Sequence, residues 1–306
     1  MILCSGEALI DMLPRETVDG EKCFAPHAGG AVFNTAIALA RLGAPTGFFS
    51  GISTDLFGAI LEDRLTAAGV DSSFAARSDK PTTLAFVTLT GGHAKYAFYD
   101  ENTAGRMLDT SDLPNLPDST TAAFFGGISL AVEPCAEAYE SLMTREASNL
   151  VTMIDPNVRD TFIKNEKSYR ARINRMMDMA DIIKVSDEDL EWLAGHDDTD
   201  KAAAELLKKS TRLVCVTQGA DGVSGYTKEG HVVVESRRVQ VVDTVGAGDT
   251  FNAGVLASLY DARALTKARI GKLDEEMVID ALTLGVRAAA VTVSRAGANP
   301  PWRDEL

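Results

Sequence analysis

Two glycines and an alanine stand between two aspartates in "DTVGAGDTFNAG", residues 243 to 254, directly before a stretch whose apolar spacing is helical. Small residues let the main chain approach a ligand, and a helix N-terminus adds partial positive charge. The turn at Gly246, Ala247 and Gly248 therefore suits an anion held on backbone N–H groups. Asp249 falls in the first helical turn beside it. It is either a favourable first-turn acid or a general base that takes a proton from a hydroxyl as that hydroxyl attacks a phosphoryl group held by the amides. Other phosphate loops do not fit. Gly271-Lys272 is followed by Leu273 and lacks the first glycine of a P-loop, and a dinucleotide fingerprint counted from Gly246 would put Phe251 at its third glycine.

The elements that must position this turn alternate short β-branched or apolar runs with helical patterns. Strands are expected at 2–5, 46–50, 84–90, 95–100, 122–126, 151–154, 182–185, 213–217, 223–227 and 231–236. Near-continuous apolar runs such as "LVTMIDPN" read as strands buried on both faces, which predicts an α/β layered fold with a mostly parallel central sheet and helices on both faces. Two stretches differ. Residues 84–105 alternate on either side of Gly91-Gly92 like a hairpin, and residues 11–30 read as an extended pair turning near Asp19-Gly20. Together they predict a small sheet projecting from the main one. No repeat or long linker interrupts the chain, so residues 1–306 are expected to form one domain with this sheet as its lid.

Composition excludes several classes of function. A formal net charge of −14 argues against a nucleic-acid partner, which needs clustered Lys and Arg. The four cysteines, Cys4, Cys23, Cys135 and Cys215, lie far apart without metal or disulfide spacing, and a reduced cytoplasm fits them. The N-terminal "MILCSGEALIDML" meets Glu7 and Asp11 too early for a signal peptide, and no apolar run approaches the roughly 20 residues of a membrane span.

"DTVGAGDTFNAG" resembles the C-terminal signature of the ribokinase-like, or PfkB, carbohydrate kinases, and "GEALIDMLP" followed by "AGGAVFNTAIALARLG" is similar to their first signature. The resemblance spans nearly the whole chain. It implies a three-layer ribokinase-like fold with a small β-sheet lid, and transfer of the γ-phosphate of ATP to a hydroxyl of a small sugar. By the same resemblance Asp249 is the base, and the amides of Gly246, Ala247 and Gly248 form the anion hole. Asp11, Gly29, Gly30 and Asn34 would meet sugar hydroxyls, although Asn34 and the glycines could equally serve a helix start and a turn.

The nucleotide side follows from "VTQGADG", similar to a T-x-G-x-x-G turn that would bring Thr217, Gly219 and Gly222 to ATP, with Lys184, Ser186 and Asn252 also expected there. In "KVSDEDLEWL" Ser186 and Asp189 stand where the family carries the Asn and Glu of N-x-x-E, so Asp189 is expected to reach Mg2+ through water; capping by Ser186 explains the same residues. Asp243 and Val245, with "VTVSRAGANPP", resemble a segment that holds a monovalent cation such as K+ in relatives.

For the acceptor, "GEALIDMLP", "YAFYDENTAG" and "SRAGANPP" resemble fructose-phosphorylating members, with Arg159 of "DPNVR" against the substrate and Tyr96 and Phe98 covering it from the lid. Arg159 alone leaves 2-keto-3-deoxygluconate open, and aminoimidazole riboside or nucleoside kinases are further alternatives. A sugar-sensing member that had lost catalysis is the non-enzyme alternative, disfavoured because Asp249, Gly246 and Gly248 are all present. The apolar outer positions of the small sheet offer a second copy a place to pair as a homodimer.

Overall fold

The computed structural model describes residues 1–90 and 93–306, and the side chains of 89–96 lie outside the described set, as does the expected Gly91-Gly92 turn. The chain opens with β1 (Ile2–Ser5), β2 (Leu9–Glu16), β3 (Lys22–Gly29), α1 (Ala31–Arg41), β4 (Thr46–Phe49), β5 (Gly51–Ser53), α2 (Leu56–Ala68), β6 (Ala76–Ser78), β7 (Leu84–Thr90) and β8 (His93–Tyr99). It continues through β9 (Ala122–Gly126), α3 (Cys135–Glu146), β10 (Val151–Asp155), α4 (Glu166–Met179), β11 (Ile182–Ser186), α5 (Asp187–Ala194), α6 (Thr199–Leu206), β12 (Leu213–Thr217), β13 (Val223–Tyr226) and β14 (His231–Val234). The last helices are α7 (Ala247–Asp261), α8 (Lys267–Ile270) and α9 (Glu275–Val293).

Eight strands form the main sheet in the order β14-β13-β12-β11-β10-β9-β1-β4. The run from β12 to β4 is parallel, and β13 and β14 close one edge as antiparallel strands. Alternation along each strand divides the core in two. Ile2, Cys4, Phe48, Phe124 and Met153 pack under α1, α2, α7 and α9, whereas Leu3, Phe49, Phe125 and Ile154 pack under α3 to α6. Strands buried on both faces explain why these runs read as continuously apolar. On the first face α7 and α9 cross closely, for a Cβ on Gly254 would lie 2.5 Å from Gly285 Cα.

A separate four-stranded sheet has the order β3-β2-β7-β8. Its strands shift the bounds expected at 11–30 and 84–105: β2 begins two residues earlier, at Leu9, and residues 100–105 are outside the strands. Residues 6–8 separate β1 from β2, and Asp11 lies inside β2 opposite His27. Pairing of β5 with β6 had no counterpart in the expected strands, each being only three residues long. No described helix is long and apolar enough to cross a membrane.

Candidate active site

Parallel strands aim their C-terminal ends at one edge of the main sheet. Chain order reverses around β1, flanked by β4 and β9, which opens a crevice there. A cleft of about 1640 Å³ occupies that edge, walled by the small sheet and by residues 244–249.

Gly246 precedes α7 with φ 78°, a left-handed conformation that glycine adopts without strain. The Ala247 amide reaches back to the Thr244 carbonyl at 3.3 Å. Among the described residues the amides of Gly246, Gly248 and Asp249 have no partner, so the unpaired donors differ from the expected Gly246–Ala247–Gly248 set by one residue. Asp249 is 7% exposed; its Oδ2 accepts from Asn34 Nδ2 at 2.9 Å, and its carbonyl accepts from the Thr35 hydroxyl at 3.2 Å. Burial pushes its carboxyl up to about 7, opposed by the Asn34 hydrogen bond and Lys184 and reinforced by Asp155 and Glu7. Asn34 does not open its helix: α1 starts at Ala31, capped by Gly30, which puts Asn34 one turn inside and facing α7.

Asp11, Gly30 and Phe98 also line the cleft, and burial pushes the Asp11 carboxyl up to about 6. A Cβ on Gly29 would lie 2.4 Å from Asp11 Oδ2, so that glycine makes room for the carboxylate. Phe98 meets Phe162 edge-on at 4.4 Å between ring centres, joining the small sheet to the loop that carries Arg159. Arg159 is exposed along the cleft wall. The side chain of Tyr96 lies outside the described residues.

At the other end, Lys184, Ser186, Asp189, Thr217 and Gly219 line the cleft. Ser186 caps α5 by accepting from the Asp189 amide at 3.0 Å. Burial, then Asp155, raises the Asp189 carboxyl above its ordinary range, against Lys184 and Arg159. Two expected nucleotide residues sit elsewhere. Gly222 packs against β14, where a Cβ would lie 2.2 Å from the Val234 carbonyl oxygen, and buried Asn252 donates to Asp155 Oδ2 at 2.7 Å. Asp243 accepts from the amides of Val245 at 3.0 Å and Gly297 at 2.9 Å, tying the turn before α7 to the segment after α9. Val245 is exposed there.

Sequence reasoning gave no role to Glu7 or to Asp155 of "DPNVR". Glu7 accepts from the amides of Ala31 at 2.9 Å and Ser129 at 3.3 Å, stapling α1 to the loop after β9. Gly127 has φ 73°, and a Cβ on it would lie 2.1 Å from Glu7 Oε1. The available signal was an acid at the C-terminal end of an apolar strand in each case, Glu7 two residues beyond β1 and Asp155 closing β10.

A buried carboxylate beside unpaired amides at a helix N-terminus is an arrangement that suits phosphoryl transfer. The family model for pfkB family carbohydrate kinases matches residues 1–305, and the chain belongs to this family. It is 57% identical over 276 residues to a fructokinase of Rhizobium leguminosarum bv. trifolii, covering 90% of this chain and 85% of that protein. The crystal structure of fructokinase with bound ATP from Xylella fastidiosa superposes with a TM-score of 0.88 at 30% identity, covering 97% of this chain and 93% of that one. A fructokinase double mutant from Vibrio cholerae O395, in fructose, ADP and potassium ion bound form, superposes with a TM-score of 0.82 at 25% identity, covering 97% and 93%. The fold is ribokinase-like, and the enzyme is a carbohydrate kinase.

Proposed function

We propose that this protein transfers the γ-phosphate of ATP to a hydroxyl of D-fructose. The observation that carries the reading is Asp249 at the start of α7, buried, held by Asn34, and next to the unpaired amides of Gly246 and Gly248. The acceptor oxygen attacks the γ-phosphorus as the bond to the β,γ-bridging oxygen breaks. Its proton passes to Asp249, and ADP leaves. Amides at the helix start stabilise charge on the transferred group. Asp11, Gly29, Gly30 and Asn34 would hold the sugar, with Arg159, Phe98 and Tyr96 around it, and Lys184, Ser186, Thr217 and Gly219 the nucleotide. Fructose as the acceptor rests on similarity to proteins named fructokinase.

No group of three or more His, Cys, Asp or Glu side chains that could hold a metal forms among the described residues. In this reading Mg2+ is carried on the phosphates of ATP with Asp189 near it, where the ion would neutralise phosphate charge. The Asp243–Val245 turn, fastened to Gly297, is the place for K+. All 306 residues work as one kinase unit in this reading, with the small sheet as lid, and the setting is the cytoplasm, where the free cysteines stay reduced. On the lid face opposite Asp11, Phe24, Phe86 and Tyr99 form an aromatic row, with Phe24–Phe86 at 5.0 Å and Phe86–Tyr99 at 5.4 Å, which suits pairing with a second copy.

A screen of ATP-dependent phosphorylation over fructose, 2-keto-3-deoxygluconate, ribose, aminoimidazole riboside and adenosine tests the reading. Fructose should give the highest kcat/KM. A higher value for any other acceptor overturns the substrate, and no turnover with any of them overturns the reading of the site.

A further inference from the structure

The strand that carries Phe98 leaves the small sheet beside the cleft. Ala85 of β7 pairs with Asp11 on one side and Phe98 on the other, so these three residues share one face of that sheet. Asp100 follows two positions after Phe98, one residue beyond β8, and lines the cleft with Phe98, Asp11 and Glu101. Its carboxylate is held from one side. Arg106 Nη1 donates to Oδ2 at 3.0 Å, with 18% of the arginine side chain and 17% of the aspartate side chain exposed. Arg106 is itself fixed, for its Nε donates to the Glu133 carbonyl just before α3 at 3.1 Å. The Asp100 carbonyl accepts from the Thr103 hydroxyl at 2.9 Å, and that hydroxyl meets the hydroxyl of Thr83 at 2.8 Å. Backbone and side chain are therefore both pinned where β8 ends.

Arg106 stands behind the carboxylate, outside the cleft wall, and among the described residues Asp100 Oδ1 has no hydrogen-bond partner. The cations that do line the cleft, Arg159, Lys164 and Lys184, belong to the main-sheet side. A ligand at the end of β8 thus meets an acceptor. An ionised carboxylate only accepts, so a sugar hydroxyl satisfies it by donating, whereas a second carboxylate brings acceptors alone. Two desolvated acceptors left facing each other are costly, and a site built this way favours a neutral polyol by penalising an anion.

We infer that Asp100 is a specificity-determining residue: with Arg106 holding one carboxylate oxygen, the other accepts from hydroxyls of a neutral acceptor sugar and turns away acceptors that carry a carboxylate. The inference rests on the fructose kinase reading above. Arg106 acts through Asp100 and is a positioning residue. The contact is made with parts of the sugar that do not react, so it is equally strong before and during phosphoryl transfer. Its effect therefore falls on KM and leaves kcat nearly unchanged.

The competing account is that Asp100 and Arg106 only brace the end of β8. Asp100→Asn should raise the KM for fructose by about 10–100-fold, the usual worth of one hydrogen bond to a charged group, with kcat within about threefold of the parent. The Ki of 2-keto-3-deoxygluconate as a competitor of fructose should fall by about tenfold or more in the same variant, because the amide can donate to its carboxylate. Bracing alone would not improve the binding of an acid. Asp100→Asn also leaves Arg106 without its charged partner, so a second variant combines it with Arg106→Gln and replaces the ion pair by two neutral amides. With its fold checked by circular dichroism and Tm, this double variant should keep the raised KM for fructose. A single variant whose KM for fructose and Ki for the acid both stay within about threefold of the parent, or a double variant that regains the parent KM, overturns the role of Asp100. The parent protein in the same assay separates the two readings: no fructose phosphorylation by the parent overturns the fructose kinase reading, whereas an active parent with either of those results overturns only Asp100.

Discussion

Asp249 must be ionised to take a proton, yet its burial favours the neutral form. With its carboxyl near 7, the kcat/KM for fructose should rise with pH and level off above about that value, since only the deprotonated fraction acts. The sign for stability is opposite. The folded carboxyl binds its proton more tightly than the unfolded one, whose ordinary value is 3.8, so its contribution to stability is complete below that and is lost as pH rises through about 7. Thermal melts of the ligand-free protein and a pH–rate profile measure the two separately. Asp249→Asn keeps the shape and the Asn34 neighbour but cannot accept the proton, and it should lower kcat by about 10²–10⁴-fold while sugar and ATP still bind; near-normal turnover would remove Asp249 from the chemistry. Arg159 decides between acceptors. With neutral fructose, Arg159→Lys should change kcat/KM only modestly. With a sugar acid, the loss of a bidentate charge-assisted pair should erase most of the preference for that acid. Asp249 and Arg159 were legible because glycines and an arginine mark their neighbourhoods in sequence. Glu7, Asp155 and the inward turn of Asn252 were not, because each takes its meaning from partners on other elements: Glu7 from Ala31 and Ser129, and Asp155 from Lys184 and Asn252.

Elements carry the next level of control. The parallel strands were legible because burial on both faces writes itself as apolar runs, and β1 and β12 match their expected bounds of 2–5 and 213–217. The break between β1 and β2 falls after the expected strand 2–5, but the start of β2 at Leu9, two residues before the expected 11, was hidden by the apolar run through "ALI". That break puts Glu7 under the start of α1. Gly127→Ala would force a side chain into a positive-φ, extended-ψ conformation open almost only to glycine, costing about 1–3 kcal/mol, and would push Glu7 off the Ala31 amide. The expected result is a lower Tm together with a raised KM for fructose, because Gly30 and Asn34 move with the helix start. An unchanged KM would show that the staple serves the fold alone. The small sheet contacts the body through Phe98 and Phe162. If it closes over the sugar, amide hydrogen exchange in β2, β3, β7 and β8 should slow when fructose saturates the protein. Equal exchange with and without bound sugar removes the lid role.

On the scale of the whole molecule, the cleft draws on residues from Glu7 to Asp249, and its central contact joins Asn34 to a partner 215 positions later in the chain. Loop closure over such a span is entropically costly and pays back only once both helices have surfaces to meet. The main sheet can assemble most of its parallel strands before α7 exists, for β1, β4, β9, β10 and β11 all end by Ser186. A refolding chain should therefore regain its secondary structure before its activity. Stopped-flow circular dichroism should run ahead of the return of fructose phosphorylation, with the lag removed when refolding starts from a state in which α7 is already docked on α1. The same order holds during synthesis, where a chain still lacking residues 243–261 would own a finished sheet without Asp249; with Asp249 as the proposed base, phosphate transfer would wait for the last part of the chain.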